Sequence, residues 1–540
     1  MNSKTLGIGD FLMKIIPRAR SSGADTTHPE NAPTDKDEVT KDEAELAYFG
    51  KRQQLKRNFG LVSIVGLTCT VMITWEGLTT TIQTALDNGG PAGLIYGYLF
   101  AWIGTLAQAA VMGEMASMIP ISGGQYNWVS IIALPQYSKF LSYLTGWVTI
   151  IAWQAALAST AFLGGTIIQG LLVLNYSSYV FERWQGTLLF YAFIALALLV
   201  NTYLARQLPR IETMILTTHI IGFFCILIPL VYLGPHGTAS DVFSTFENLG
   251  GWNTTTLSVF IGFTTSMFAF IGVDAAAHMA EEIENASSVI PRSMILTVIL
   301  NGTLGFGMLL ALLFCAGDLN AALLTTTGFP FIEIYAQATN SASGASAMTA
   351  VIIASFSFAT VGLLATASRM TWAFARENGL PGSSYLGHVE PRTALPLWSI
   401  GLSTVTSLLL ALINVGSSAA FNALTSLVVA AFYSSFLFAA GVMLHKRLTT
   451  IQSKIRWGPF KTGRFGILIN MFSIIYSVIG IFFSFWPAMI DPTAQSMNWS
   501  IAVFGGIMLF SIIFWLIYGR KVYTGPIVEI AGHAVNSVDI

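Results

Sequence analysis

The sequence predicts an all-α polytopic membrane protein: twelve transmembrane helices in a five-plus-five inverted repeat, with helices 1 and 6 broken. Three observations carry that reading. Apolar runs long enough to cross a bilayer recur through 540 residues that are 54% hydrophobic and only 10% charged, too little charge to solvate a soluble surface of that size. Basic residues are confined to alternate loops. Two apolar runs, each opening a five-span set, hold a glycine and an acid that an uninterrupted span would not carry.

The spans are expected near 60–83, 92–118, 138–171, 187–204, 210–233, 255–280, 292–317, 345–375, 396–414, 418–444, 465–489 and 499–519. The third and eighth exceed the roughly 20 residues a span requires, so they should tilt or project from the bilayer. The short segment 328–338, GFPFIEIYAQA, reads as an external re-entrant or surface helix. With the N-terminus inside, 25 of the 26 Lys and Arg residues fall on the inner side and only Arg183 falls outside. That asymmetry places both termini in the cytoplasm. An odd number of spans would reverse every later loop and destroy it.

Residues 21–46 are rich in Asp, Glu, Thr and Pro, so 1–58 reads as a disordered cytoplasmic tail without a cleavable signal. The twelve-span domain covers 59–520, with repeats at 59–234 and 252–444, appended helices at 465–520, and a cytoplasmic tail at 521–540. Cys69, Cys225 and Cys315 lie within spans and imply no disulfide framework. No nucleophile–base pair, metal-spaced histidine set or phosphate loop stands out, so neither an enzyme nor a metal, cofactor or nucleic-acid partner is expected. Glycosylation sequons at Asn175, Asn253 and Asn498 fall in outer loops, but those at Asn285 and Asn301 do not.

The first span reads LVSIVGLTCTVMITWEGLTTTIQ, with Glu76-Gly77 about two-thirds of the way across. The sixth runs through FAFIGVDAAAHMAEEIENASSVIPR, with Gly272 and Asp274, then His278, Glu281, Glu282 and Pro291-Arg292. A carboxylate within a membrane helix costs about 3 kcal/mol or more, which makes it a functional hypothesis by default. A glycine alone is ordinarily a packing site and an acid alone can snorkel. Matching breaks in two halves point instead to a midplane binding site.

The candidate substrate-binding residues are therefore Thr74, Trp75, Glu76, Gly77, Phe270, Gly272 and Asp274. Amides at half-helix N-termini suit a carboxylate, and unwound carbonyls suit an ammonium. Trp75, Phe268 and Phe270 could face an ammonium group, although packing accounts for any single aromatic as well. Glu76, His219 and Asp274 are the proton-coupling candidates, since imidazole changes charge near neutral pH. Glu281, Glu282, Arg292 and Arg369 are candidates for a cytosolic gate. Glu281 and Glu282 are adjacent and point about 100° apart on a helix, which argues against a metal set with His278. Glu114 suits an inner-interface ion pair, and Trp153 and Gln154 could face the cavity.

FIGVDAAAHMAEEIENASSVIPR resembles the sixth-helix signature of the amino acid–polyamine–organocation superfamily. GEMASMIPISGGQYNW, residues 113–128, resembles its segment joining helices 2 and 3, and ASRMTWAFARENGLP, residues 367–381, resembles the end of helix 8 in the fungal amino acid/choline transporter branch. The resemblance implies substrate held between helices 1, 3, 6, 8 and 10. Relatives often carry a Gly-x-Gly sequence at the first break, where this chain has ITWEGL, and some carry a Lys on helix 5, where it has His219.

The expected function is secondary active, proton-coupled uptake of amino acids or GABA-like compounds at the plasma membrane, the lipid bilayer being its setting. A choline, quaternary amine or polyamine permease is the alternative, favoured by the Trp and acid at the first break. A nutrient sensor on a permease scaffold fits the short tails less well. Family analogy adds ubiquitin-dependent turnover through Lys36 or Lys41.

Overall fold

Among the described residues eleven helices are long and apolar enough to cross a membrane, and a further apolar helix, Thr255–Phe268, is shorter because its span is interrupted. The computed structural model describes residues 40–416, 420–494, 496–523 and 525–526. Span 1 is Leu61–Met72 plus Thr74–Asp87, and spans 2 to 5 are Gly90–Met118, Pro135–Asn175, Arg183–Tyr203 and Leu208–Leu233. Span 6 is Thr255–Phe268 plus the short Ala275–His278. Spans 7 to 10 are Ala286–Phe314, Ala342–Arg376, Leu397–Gly416 and Ala420–Thr449. Spans 11 and 12 are Gly466–Ser484 and Ser500–Phe514, the last continuing through a π-turn.

Local chemistry sets many of these boundaries. Spans 2, 3 and 5 carry a proline in their first turn, where its missing N–H is no loss. Thr254 and Ser341 cap spans 6 and 8 by accepting from Leu257 N and Gly344 N. Span 3 has 41 residues, about 60 Å of helix, and packs along spans 4, 8 and 10 as the central pillar. Spans 11 and 12 lie outside and turn Phe482, Ile501, Leu516 and Ile517 outward, as lipid contact requires.

Two expectations are corrected here. Residues 41–58 are not a disordered tail. Helix Lys41–Tyr48 leads into a strap on which the Asp42 carboxylate accepts from Asn285 N and Ala286 N at 2.8 and 3.2 Å. Those contacts cap span 7, and Phe59 bridges to Ile283. The charge-rich composition misled because these charges have fixed partners. Residues 1–39 lie outside the described residues. The short apolar segment forms helix Pro330–Thr339, but Phe331, Ile332, Ile334 and Tyr335 are buried, so it is packed into the bundle rather than laid on its surface. Asn498 is also buried, with its amide bonded to Ser426, the Ser484 carbonyl and the Trp486 carbonyl, which leaves its sequon no room for a glycan.

Candidate functional site

The two breaks lie side by side. In span 1 the helix stops at Ile73, whose backbone is left-handed at φ 36°, and restarts at Thr74. The break thus precedes Glu76-Gly77 by three residues. A β-branched residue is an outlier in that region and persists only where its surroundings enforce it. Here Ile73 N donates to Cys69 O at 3.0 Å, and its carbonyl accepts from Gly77 N at 2.7 Å. In span 6 the regular helix ends at Phe268, and residues 269–274 run as turns through Gly272 at φ 92°.

A cavity of about 20 Å³ sits between the breaks, lined by Met72, Ile73 and Gly77 of span 1, Phe268, Ile271 and Gly272 of span 6, Ser159 and Thr160 of span 3, Leu363 and Val428. That volume holds about one water, so the chamber is contracted. A wider cavity of about 340 Å³ opens above it, walled largely by threonines (Thr80, Thr81, Thr84, Thr166, Thr264, Thr265), with Arg183 its one ionisable lining residue among those described. Phe268 borders both spaces. Ser159, Thr160, Leu163 and Thr166 border them from one face of span 3, a helically spaced stripe that the sequence displays but sequence reasoning missed.

Gly77 and Gly272 border the small cavity, whereas the other five substrate candidates turn away from it. Thr74 packs towards Gly305 of span 7. Trp75 lies against His219 and Phe223, with ring centroids 5.7 and 6.2 Å apart. Phe270 lies 5.1 Å from the Tyr98 ring. Trp153 packs on His278 and Phe432, and Gln154 bonds Thr371 and Ser403, so neither borders the cavity.

Both acids sit in closed clusters. Glu76 Oε1 is 2.8 Å from His219 Nδ1, and His219 Nε2 is 3.1 Å from Asn301 Oδ1. The Asn301 amide donates to the Cys69 carbonyl at 2.9 Å, which fixes its oxygen toward the histidine. Both ring nitrogens therefore face acceptors. Either His219 is an imidazolium beside a carboxylate, or Glu76 holds the proton and donates it to Nδ1; in both cases the pair is neutral overall. Span 6 repeats the device. Asp274 Oδ2 accepts from Gln125 Nε2 at 2.6 Å and lies 3.1 Å from His278 Nε2, while His278 Nδ1 is 3.3 Å from the Ser122 carbonyl. All four ionisable residues are buried. Each cluster anchors the second segment of a broken helix to its neighbours.

The face rich in Lys and Arg carries a set of buried or half-buried ion pairs. Arg369 Nε meets Glu282 at 2.8 Å and Arg376 meets Glu281 at 2.9 Å. Lys51 pairs with Glu377, and Arg447 with Glu114. Arg57 donates to the carbonyls of Ala280 and Ile283. Arg292, an expected gate residue, is exposed instead, in the first turns of span 7. Arg376 takes that place, and Lys51 and Glu377 join a set that sequence reasoning did not include.

Gly272→Ala is expected to cost about 1–3 kcal/mol, because a Cβ there combines a left-handed backbone with a 2.8 Å approach to Val71 Cγ1. Thermal unfolding in detergent checks it, with uptake lost in parallel.

Residues 59–508 match the family described as amino acid permease. The chain is 31% identical over 440 residues to "Putative amino acid/polyamine transporter" of Macrophomina phaseolina, covering 81% of this chain and 97% of that one. It is 29% identical over 470 residues to the Choline transporter of Saccharomyces cerevisiae, covering 86% and 82%. Against Amino-acid permease BAT1 of Arabidopsis thaliana it is 28% identical over 507 residues, covering 90% and 96%.

Proposed function

The chain belongs to the amino acid permease family, and on that premise we propose that it imports an amino acid or a 4-aminobutyrate-like zwitterion by proton-coupled alternating access. The observation that carries this reading is the chamber between the breaks. Among the described residues no ionisable side chain borders it, so a substrate there is read by half-helix ends and hydroxyls. The N–H groups of Thr74, Trp75 and Glu76 open a helix and have no partner one turn earlier, which suits a carboxylate. The opposite charge of a zwitterion then falls to the carbonyl-bearing end of an interrupted helix.

Choline or a polyamine is the second reading, supported by the relatives whose names carry those substrates. The argument for it from Trp75 and Glu76 weakens, since both face His219 rather than the chamber. The orientation belongs to the same proposal: the basic face is cytoplasmic, the threonine-walled cavity opens outward, and the membrane is the plasma membrane. The ion pairs form the closed cytosolic gate.

Uptake of labelled 4-aminobutyrate, L-amino acids, choline and putrescine into transport-deficient cells tests this. The expected result is saturable uptake of a zwitterion, competed by other zwitterions, abolished by protonophore and falling as external pH rises. Uptake of choline or putrescine that amino acids do not compete would establish the second reading. Transport undiminished by protonophore would remove the coupling.

A further inference from the structure

Glu212 of span 5 is a buried acid that belongs to neither histidine cluster and, unlike Glu114, Glu281, Glu282 and Glu377, makes no ion pair with a Lys or Arg among the described residues. Its Oε2 lies 3.1 Å from the Thr70 hydroxyl, which also reaches the Gly66 and Leu67 carbonyls at 2.9 and 3.1 Å, while Oε1 has no hydrogen-bond partner among the described residues. Thr70 lies three residues before the break at Ile73. Glycines bring the neighbouring spans close. A Cβ on Gly66 would stand 2.5 Å from the Glu212 carbonyl oxygen, and one on Gly362 of span 8 would stand 3.5 Å from Oε1.

Span 5 packs against the first half of span 1, spans 7 and 8, helix Pro330–Thr339 and the turn Ala205–Gln207. Their ionisable residues are Cys69, Arg292, Arg369 and Arg376, Glu333 and Tyr335, and Arg206. Among the described residues none of these bonds to Glu212. Arg206, Arg292 and Arg210 of span 5 itself are exposed, and Arg369 and Arg376 are held by Glu282 and Glu281. His219 lies two turns along span 5 and is held by Glu76.

An ionised carboxylate at this place would exchange its hydration for one neutral hydroxyl, a cost of several kcal/mol that the neutral acid avoids. Glu76 and Asp274 each have a histidine ring nitrogen at hydrogen-bond distance, 2.8 and 3.1 Å, as a partner for their charge. Glu212 has no such partner, and its own proton is what neutralises it. A metal cation would need several converging oxygen ligands, and among the described residues only the Thr70 hydroxyl is bonded to the carboxyl.

We propose that Glu212 carries the coupled proton. This rests on the proton-coupled reading above and moves the coupling site away from Glu76, His219 and Asp274. With the basic face shut, the carboxyl is neutral. When that face opens, water reaches the carboxyl beside the Thr70 hydroxyl, the O–H bond breaks and the proton leaves to water on that side. The proton-free carrier then reorients, and the carboxylate takes up a proton from the opposite face once that face is open, so one proton crosses per cycle.

The test uses the purified full-length chain in liposomes, with the best-transported labelled compound of the panel above. Glu212→Gln is expected to keep substrate exchange within about two-fold while uptake driven by a pH gradient falls at least about ten-fold. Infrared difference spectra between acidic and alkaline states should show a titrating carboxylic C=O band in wild type that Glu212→Gln lacks. Full pH-driven accumulation by Glu212→Gln, or an unchanged band, overturns the assignment while leaving proton coupling intact. A wild type driven by sodium and indifferent to pH removes the coupling reading and this inference with it. If Glu212→Gln does not fold, Thr70→Val decides. Losing a donor to the ionised form should shift the pH profile of driven uptake by about one unit towards alkaline pH, and an unmoved profile overturns the proposal.

Discussion

His219→Ala is expected to abolish uptake and to lower stability by about 3–5 kcal/mol, the usual consequence of stripping one partner from a buried charged pair. The substitution leaves Glu76 beside an apolar gap with its second oxygen already unpartnered, and it frees Asn301, which ties span 7 to the Cys69 carbonyl at the break. The loss therefore reaches the geometry of Ile73 as well as the charge. Glu76→Gln should be far milder, because a neutral amide can donate to Nδ1 while Nε2–H still serves Asn301. It is expected to keep measurable uptake with unchanged selectivity. The double variant His219→Ala/Glu76→Gln should recover about 2 kcal/mol over His219→Ala alone, since no uncompensated charge remains. Thermal unfolding of the four proteins in one detergent measures the cycle. Equal instability of the single and double variants would mean that packing of the ring against Trp75, not charge, holds the cluster.

The existence of two breaks was legible because packing alone seldom places both a glycine and an acid within one apolar run. Their exact position was less so. Nothing in VMITWEG announces that isoleucine adopts a left-handed backbone, held between backbone bonds to Cys69 and Gly77. Which way the acids face was also hidden. Sequence places Glu76 beside the break, but whether it looks into the chamber or towards span 5 depends on helix rotation. One signal was overlooked: Glu212 and His219 are seven residues apart, so they share a face of span 5, and both are buried. The ion pairs of the basic face were half legible for a similar reason. Arg292 and Arg376 both lie near the basic face in sequence, yet only Arg376 reaches Glu281, because Arg292 projects outward from the start of span 7.

Arg369→Ala should hold the transporter open on its basic face and abolish accumulation. Arg369 is 1% exposed, and its guanidinium meets Glu282 through Nε and Nη2. Truncating one member of such a pair costs about 2–5 kcal/mol where it is made. The pair joins the end of span 6 to span 8, and on the proposed gating it breaks when that face opens. The cost then falls on the closed state, and about 2 kcal/mol shifts the closed-to-open equilibrium by about thirty-fold. Two measurements separate this from misfolding. A Thr160→Cys marker in the chamber should react faster with an impermeant thiol reagent applied from the basic side in Arg369→Ala than in the parent, on a background with the exposed Cys225 replaced by serine. The charge-swapped chain Glu282→Arg/Arg369→Glu should restore slow labelling and part of the accumulation. A swap that folds but labels as fast as Arg369→Ala would show that the neighbouring Glu281–Arg376 and Lys51–Glu377 pairs, rather than this one, keep the face shut.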